Sequence, residues 1–143
     1  QVPAAMQQRA ADSMAFSQRA DTSRAIIRSQ LDQLAASGAK VAIWGGTGKA
    51  AAFIHQFVTD EQCFSLVVDS DPEKAGTFVP GSGQEIKFRD VLKGVAVDVV
   101  IIPTQWRARD IMAEMEREGI RPGRVLIEHR GALVDFVQGE HPY

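Results

Sequence analysis

The hydrophobic pattern of the chain changes at about residue 40. From there on, short apolar runs alternate with amphipathic segments, and the runs predict strands at 40–44, 64–69, 85–88, 97–102 and 124–128. Helices are expected from the glycine turn at 45–48 to about Val58, near 89–93, and over 105–118. Because parallel neighbours need a crossover, usually helical, this alternation favours an α/β fold. We expect a three-layer Rossmann-like sandwich of about five mostly parallel strands in the order 3-2-1-4-5.

The first 36 residues have a different pattern, without glycine and rich in Ala, Gln, Arg and Ser. Ile26, Ile27, Leu31 and Leu34 form a helical stripe from about Thr22, and Gly38 is placed to end the helix. The sequence predicts two parts of the chain: one or more N-terminal connector helices over 1–37 and a Rossmann-like domain over 38–143. The helix is either packed on the domain or reaches back to an upstream domain.

Composition narrows the functional classes. Of 143 residues, 45% are hydrophobic and 24% charged, with a net charge of −2, which argues against disorder and against a basic nucleic-acid binder. We therefore expect no nucleic-acid partner. We also expect no membrane partner, because no long apolar run or basic-then-apolar leader is present. The single cysteine, Cys63, fits a reducing compartment, and a cytoplasmic location is expected. Gln1 at the start indicates a piece of a longer protein.

The most informative segment runs from the first strand through a glycine turn into a helix. Gly46-x-Gly48-x-x-Ala51 satisfies the dinucleotide fingerprint, whose third position accepts alanine. Asp69 ends the second strand close to the ~20-residue offset at which an acid reaches a ribose hydroxyl. An NTPase phosphate loop is excluded, because Ala50 follows Lys49 where Ser or Thr is needed.

Three interpretations of this turn remain open. Glycines at a first strand–helix turn can be purely structural, they can bind a nucleotide or sugar nucleotide, or they can bind NAD. Lys49 is placed to hold a phosphate or simply to be solvated. The candidate binding residues of the turn are Gly45, Gly46, Thr47, Gly48 and Lys49.

A second candidate segment follows the fourth strand. With the order 3-2-1-4-5, the ligand crevice lies between strands one and four, which sets the turn beside residues 103–107. Thr104 and Gln105 offer hydrogen bonds, Trp106 an aromatic plane, and Arg107 a cation for phosphate. The alternative is a proline-stopped strand with a helix cap at Thr104 and a buried Trp106.

Catalytic and metal-binding signals are weak. His129, at the end of the last strand, is a candidate rim or binding residue. Three histidines and one cysteine give no support for zinc, and no Gly-x-Ser-x-Gly elbow is present. We assign no catalytic residue and no metal site.

Two stretches carry a family resemblance. VAIWGGTGKAAAFI at 41–54 and LVVDSDPEKAGTFVPG at 66–81 resemble the C-terminal domain of S-adenosylmethionine-dependent C-methyltransferases. The family pattern is a Gly-x-x-x-Lys-type turn, then Val-Asp-x-x-Pro-x-Lys-x-Gly and Pro-Gly. The positions that keep it are Lys49, Asp69, Pro72, Lys74, Gly76, Pro80 and Gly81.

The resemblance implies an accessory role. The best-known members act on nucleotide-linked keto-sugars, and their C-terminal domain helps form the substrate crevice. S-adenosylmethionine and the catalytic base belong to an upstream methyltransferase domain of the same polypeptide, so no cofactor is expected in this chain. The resemblance implies a bacterial, cytoplasmic enzyme and a small-molecule substrate. The other functions kept open are a stand-alone nucleotide- or NAD-binding module and a structural docking domain.

Overall fold

The computed structural model of the chain describes residues 4–57, 64 and 66–143, with side chains of the first helix described from residue 18. A six-stranded sheet has the order β3-β2-β1-β4-β5-β6. The strands are β1 Val41–Trp44, β2 Leu66–Asp69, β3 Ile86–Phe88, β4 Val99–Ile102, β5 Arg124–His129 and β6 Ala132–Asp135. The helices are α1 Ala4–Ala36, α2 Lys49–Phe57 and α3 Ala108–Glu118. The α/β fold and the order of the first five strands are confirmed.

The central strands are parallel and buried on both faces. In β1, Ile43 pairs with Val67 of β2 on one side and with Ile101 of β4 on the other. Successive residues point to opposite faces, so Val41 and Ile43 pack with α1 and α2 while Ala42 and Trp44 pack with α3. Two hydrophobic cores on either side of one sheet are the three layers that the apolar runs predict.

The sixth strand is absent from the sequence-based prediction. It runs antiparallel to β5, with His129 opposite Ala132, so Arg130 and Gly131 form a two-residue hairpin loop. Both have positive φ, 50° and 77°, as a type I′ turn requires. An arginine at the first position is an unusual residue for this turn, which is why the sequence gives so little sign of the hairpin.

Helix α1 is one continuous helix rather than two. Ile27, Leu31 and Leu34 are buried in the core, whereas Ile26 of the predicted stripe is 42% exposed. The Gln30 amide donates to the Leu133 carbonyl at 2.9 Å and accepts from the Leu133 N–H at 2.8 Å. These two bonds cover the otherwise open edge of the sheet at β6. The domain boundary at residue 37 stays a prediction.

The remaining differences are local. The strand predicted at 64–69 is observed over Leu66–Asp69, the 105–118 helix begins with a 3-10 turn at Gln105–Arg107, and another 3-10 turn covers Arg89–Lys93. The long loop after β2 holds a 3-10 turn at Pro72–Lys74 and a bridge between Phe78 and Glu85. Cys63 and Val58 lie outside the described residues.

Candidate functional site

The glycine turn leaves β1 at the carboxyl edge of the sheet, the edge at which the parallel strands end. The Gly45 N–H donates to the Val68 carbonyl at 2.6 Å, which holds the turn against β2. A Cβ at Gly46 would overlap the Ile86 side chain, which would have to shift to make room. Close packing against β3 therefore explains Gly46 without any ligand.

Gly48 differs from Gly46. It has φ +57°, and a Cβ built on it would meet no atom within 4 Å. The left-handed backbone favours glycine, yet the space above it is open rather than filled by protein. An open approach to the backbone, at the start of α2, is what a bound anion needs.

Two lysines from separate parts of the sequence converge on this turn. The Lys49 ammonium donates to Oε1 of Gln105 at 2.7 Å, which joins the segments that follow the neighbouring strands β1 and β4. The Lys74 ammonium donates to the Thr47 hydroxyl at 3.2 Å and lies 3.8 Å from Oδ2 of Asp69. The turn after β1 and the segment after β4 therefore lie side by side at the switch point of the sheet, as the sequence predicts.

Asp69 is buried, with 7% of its surface exposed, and its carboxylate contacts residues of the loop that follows β2. Its Oδ1 accepts the Asp71 N–H at 2.9 Å, while Oδ2 faces Lys74. The acid at the end of β2 thus orders the loop that delivers Lys74. Sequence reasoning misses Lys74 as a site residue. The available signal is its place in the family motif, two residues after Pro72.

The segment after β4 presents its aromatic side chain to solvent. Trp106 is 60% exposed, so the alternative of a buried indole is wrong. The Lys49 ammonium lies 5.4 Å from the centroid of its ring. Thr104 is the N-cap residue of the 3-10 turn but makes no capping hydrogen bond through its side chain, and Arg107 is exposed. Lys49, Gln105 and Trp106 therefore form one contiguous surface beside the glycine turn.

His129 is placed apart from this cluster. It ends β5 at the same edge, two strands from β1, which is about 10 Å across the sheet. Its ring stands edge-on to Tyr143, with centroids 6.1 Å apart. The described contacts link His129 to the C-terminal residues rather than to Lys49 or Gln105.

The largest described cavity lies elsewhere, with a volume of about 660 Å³ beside α3. Its walls include Met112, Pro122 and Val137 together with several exposed charged side chains. Arg109, one of these, donates to the Tyr143 carbonyl at 3.0 Å. Ligands of doubly wound sheets bind outside the carboxyl ends of the strands at the switch point, and this cavity is not there. The crevice at the glycine turn is therefore the better candidate site.

Two negative findings concern the described residues only. No group of three or more His, Cys, Asp or Glu side chains among them is placed to hold a metal ion. None of the described helices is both long and apolar enough to cross a bilayer.

The fold and these contacts define a Rossmann-like α/β domain with a cluster of polar and charged side chains at its switch point. The family model for the C-methyltransferase C-terminal domain matches residues 4–128. The chain therefore belongs to this family, as the glycine turn and the loop after β2 indicate. A comparison with curated proteins found no match. β6 and the residues after it lie beyond the matched range.

Proposed function

We propose that the crevice between β1 and β4 binds the phosphate-bearing part of the enzyme's substrate, a nucleotide-linked sugar or a compound of the same kind. Methyl transfer from S-adenosylmethionine belongs, in this proposal, to the upstream catalytic domain that a C-terminal domain implies. The domain described above then contributes substrate binding and supplies no catalytic residue.

The convergence of Lys49 and Lys74 is the observation that carries the proposal. The Lys49 ammonium bonds Gln105 beside the turn, and the Lys74 ammonium bonds Thr47 within the turn. Both hydrogen-bond partners are neutral. Neutral partners leave most of each positive charge available to an anion. The Asp69 carboxylate, 3.8 Å from the Lys74 ammonium, offsets part of the charge of Lys74, so Lys49 is the more available of the two cations.

The neighbouring groups match the rest of such a substrate. The N–H groups of Ala50, Ala51 and Ala52 bond the carbonyls of Thr47 and Gly48, so the start of α2 offers a phosphate the positive end of the helix dipole and the open approach at Gly48. The exposed ring of Trp106 offers a flat apolar surface on which a base or sugar ring stacks. A diphosphate between the lysines with a ring on Trp106 uses all of these groups at once.

Calorimetric titration of the chain tests the proposal. A nucleoside-diphosphate sugar is expected to bind with sub-millimolar affinity, and S-adenosylmethionine is expected to give no heat. Gly48→Val should weaken sugar-nucleotide binding at least 100-fold, because its side chain fills the open approach to the turn.

Gly119→Val is the matched control for Gly48→Val. Gly119 follows α3, has φ +73° and also faces open space, so the backbone strain is comparable while the crevice is untouched. Unchanged affinity in Gly48→Val, or equal loss in both variants, would refute the proposed site.

A further inference from the structure

The direction of α1 relative to the sheet determines on which side the rest of the polypeptide lies. Ser23 contacts Gly131 in the hairpin loop at the carboxyl edge. Seven residues later, Gln30 bonds Leu133 in the middle of β6. Leu34 and Ser37 then lie beside Arg124, which begins β5 at the amino edge. The helix therefore runs from the carboxyl edge to the amino edge.

The helix also extends past the sheet. It begins at Ala4, and Arg19 is the first of its described side chains that lines the groove beside α2 and β5. Residues 4–18 span about 22 Å at the rise of an α-helix. Because the direction is set by the contacts of residues 23–37, this stretch projects beyond the carboxyl edge, on the side of the glycine turn.

The geometry points to the carboxyl edge as the face on which the upstream catalytic domain docks, with α1 as the rigid connection. The family match places that domain before this one in the chain, so it is attached at the projecting end of α1. The same edge carries the exposed Trp106. The opposite, amino edge is about 20 Å away, a strand length of six residues.

The surface beside α1 is mostly polar and charged. A groove of about 580 Å³ between α1 and α2 is lined by Arg19, Ser23, Arg24 and Glu128, with Ile27 at its base. Interfaces between domains of one chain are typically more polar than obligate subunit interfaces. This inference concerns the domain arrangement and does not depend on the ligand proposed for the crevice.

Cysteine labelling in the full-length protein tests the arrangement without any ligand. Arg107→Cys and Arg130→Cys place a thiol on the exposed carboxyl edge, and Ala96→Cys places one at the exposed amino edge. Maleimide labelling is read peptide by peptide, so that Cys63 is scored separately, and each rate is divided by the rate in urea. We expect labelling at least 10-fold slower at residues 107 and 130 than at residue 96. Equal rates at the three positions would overturn the inference.

A break in α1 tests whether the helix holds the two domains together. Gln18 is exposed and precedes the buried stripe, so Gln18→Pro interrupts the helix while leaving Ile27, Leu31 and Leu34 in place. The slow labelling at residues 107 and 130 should be lost in Gln18→Pro and kept in Gln18→Ala. Protection that survives the proline would show that α1 is not the rigid connection.

Discussion

Two clusters of charged side chains in this domain use their charges in opposite ways. On the α3 face, Arg89 lies 3.4 Å from Oε2 of Glu114 and 3.0 Å from Oε1 of Glu118, and Lys93 lies 3.0 Å from Oε2 of Glu118. At the glycine turn, the closest hydrogen-bond partners of Lys49 and Lys74 are neutral. The charges of the first cluster pair with one another and join the 3-10 turn at Arg89–Lys93 to α3. In the second cluster Asp69 offsets part of the charge of Lys74, whereas Lys49 keeps its positive charge for a ligand.

Burial accounts for the difference. The Arg89 side chain is only 15% exposed and packs 4.6 Å from the centroid of the Phe88 ring, so its charge needs carboxylate partners. Lys49 is exposed and loses little hydration beside an amide. A charge that the fold must compensate is structural, and a charge that water compensates is available for binding.

The largest expected effect is on ligand binding. The double variant Lys49→Ala/Lys74→Ala should weaken sugar-nucleotide binding at least 100-fold, about 2.7 kcal/mol, because both cations facing the phosphates are removed. Its urea midpoint should fall modestly, because Lys74→Ala also removes the cation that faces the buried Asp69 carboxylate. Lys40→Ala/Lys87→Ala removes the same charge elsewhere and should leave the affinity, measured by calorimetry, within about twofold. Equal losses in the two double variants would show that only net charge matters.

Arg89→Met should have the reverse profile, lower stability with unchanged ligand affinity. Removing the guanidinium breaks the ion pairs of Arg89 with Glu114 and Glu118 and leaves Glu118 with Lys93. We expect a loss of about 2 kcal/mol in the free energy of unfolding, between the values for surface and buried ion pairs. Urea unfolding measures it, with Arg117→Met as the control, because Arg117 is an exposed arginine on α3, the helix that carries Glu114 and Glu118. A loss below about 0.5 kcal/mol would contradict a structural role for Arg89.

The smallest effect concerns the pH dependence of the Lys93–Glu118 pair. The hydrogen bond from Lys93 holds the pKa of Glu118 below its ordinary value of 4.5, and Glu118 and Asp90 raise the pKa of Lys93 above 10.5. A lowered acid pKa stabilises the fold above about pH 4.5 and is lost as the pH falls through the folded value. A raised lysine pKa stabilises below about pH 10.5 and is lost as the pH rises further.

Lys93→Met should therefore lower the unfolding free energy slightly between these limits and converge with the unchanged chain in acid. Thermal unfolding followed from pH 3 to pH 8 measures the difference. The same scan on Lys49→Met should show no such convergence, because Lys49 donates to an amide. A constant difference across the acid range for Lys93→Met would contradict the assignment.

The sequence by itself determined the central part of the fold. The Val/Ile runs of β1, β2 and β4 and the amphipathic helices between them are local patterns, and the right-handed crossover leaves few ways to order the strands. The glycine turn followed from the same local reasoning, since backbone conformation is set by neighbouring residues. The family motif in the loop after β2 was also readable directly.

Only the tertiary structure decided which distant groups meet. Contacts between segments far apart in the chain decide three features: Lys74 reaches Thr47, Trp106 faces solvent, and α1 projects past the carboxyl edge. β6 forms because Arg130 and Gly131 adopt positive φ and Gln30 covers the strand edge, not because of its own weak alternation. Periodicity records which residues are buried together, whereas the direction of a helix and the partner of a charge are set by the packing of the whole domain.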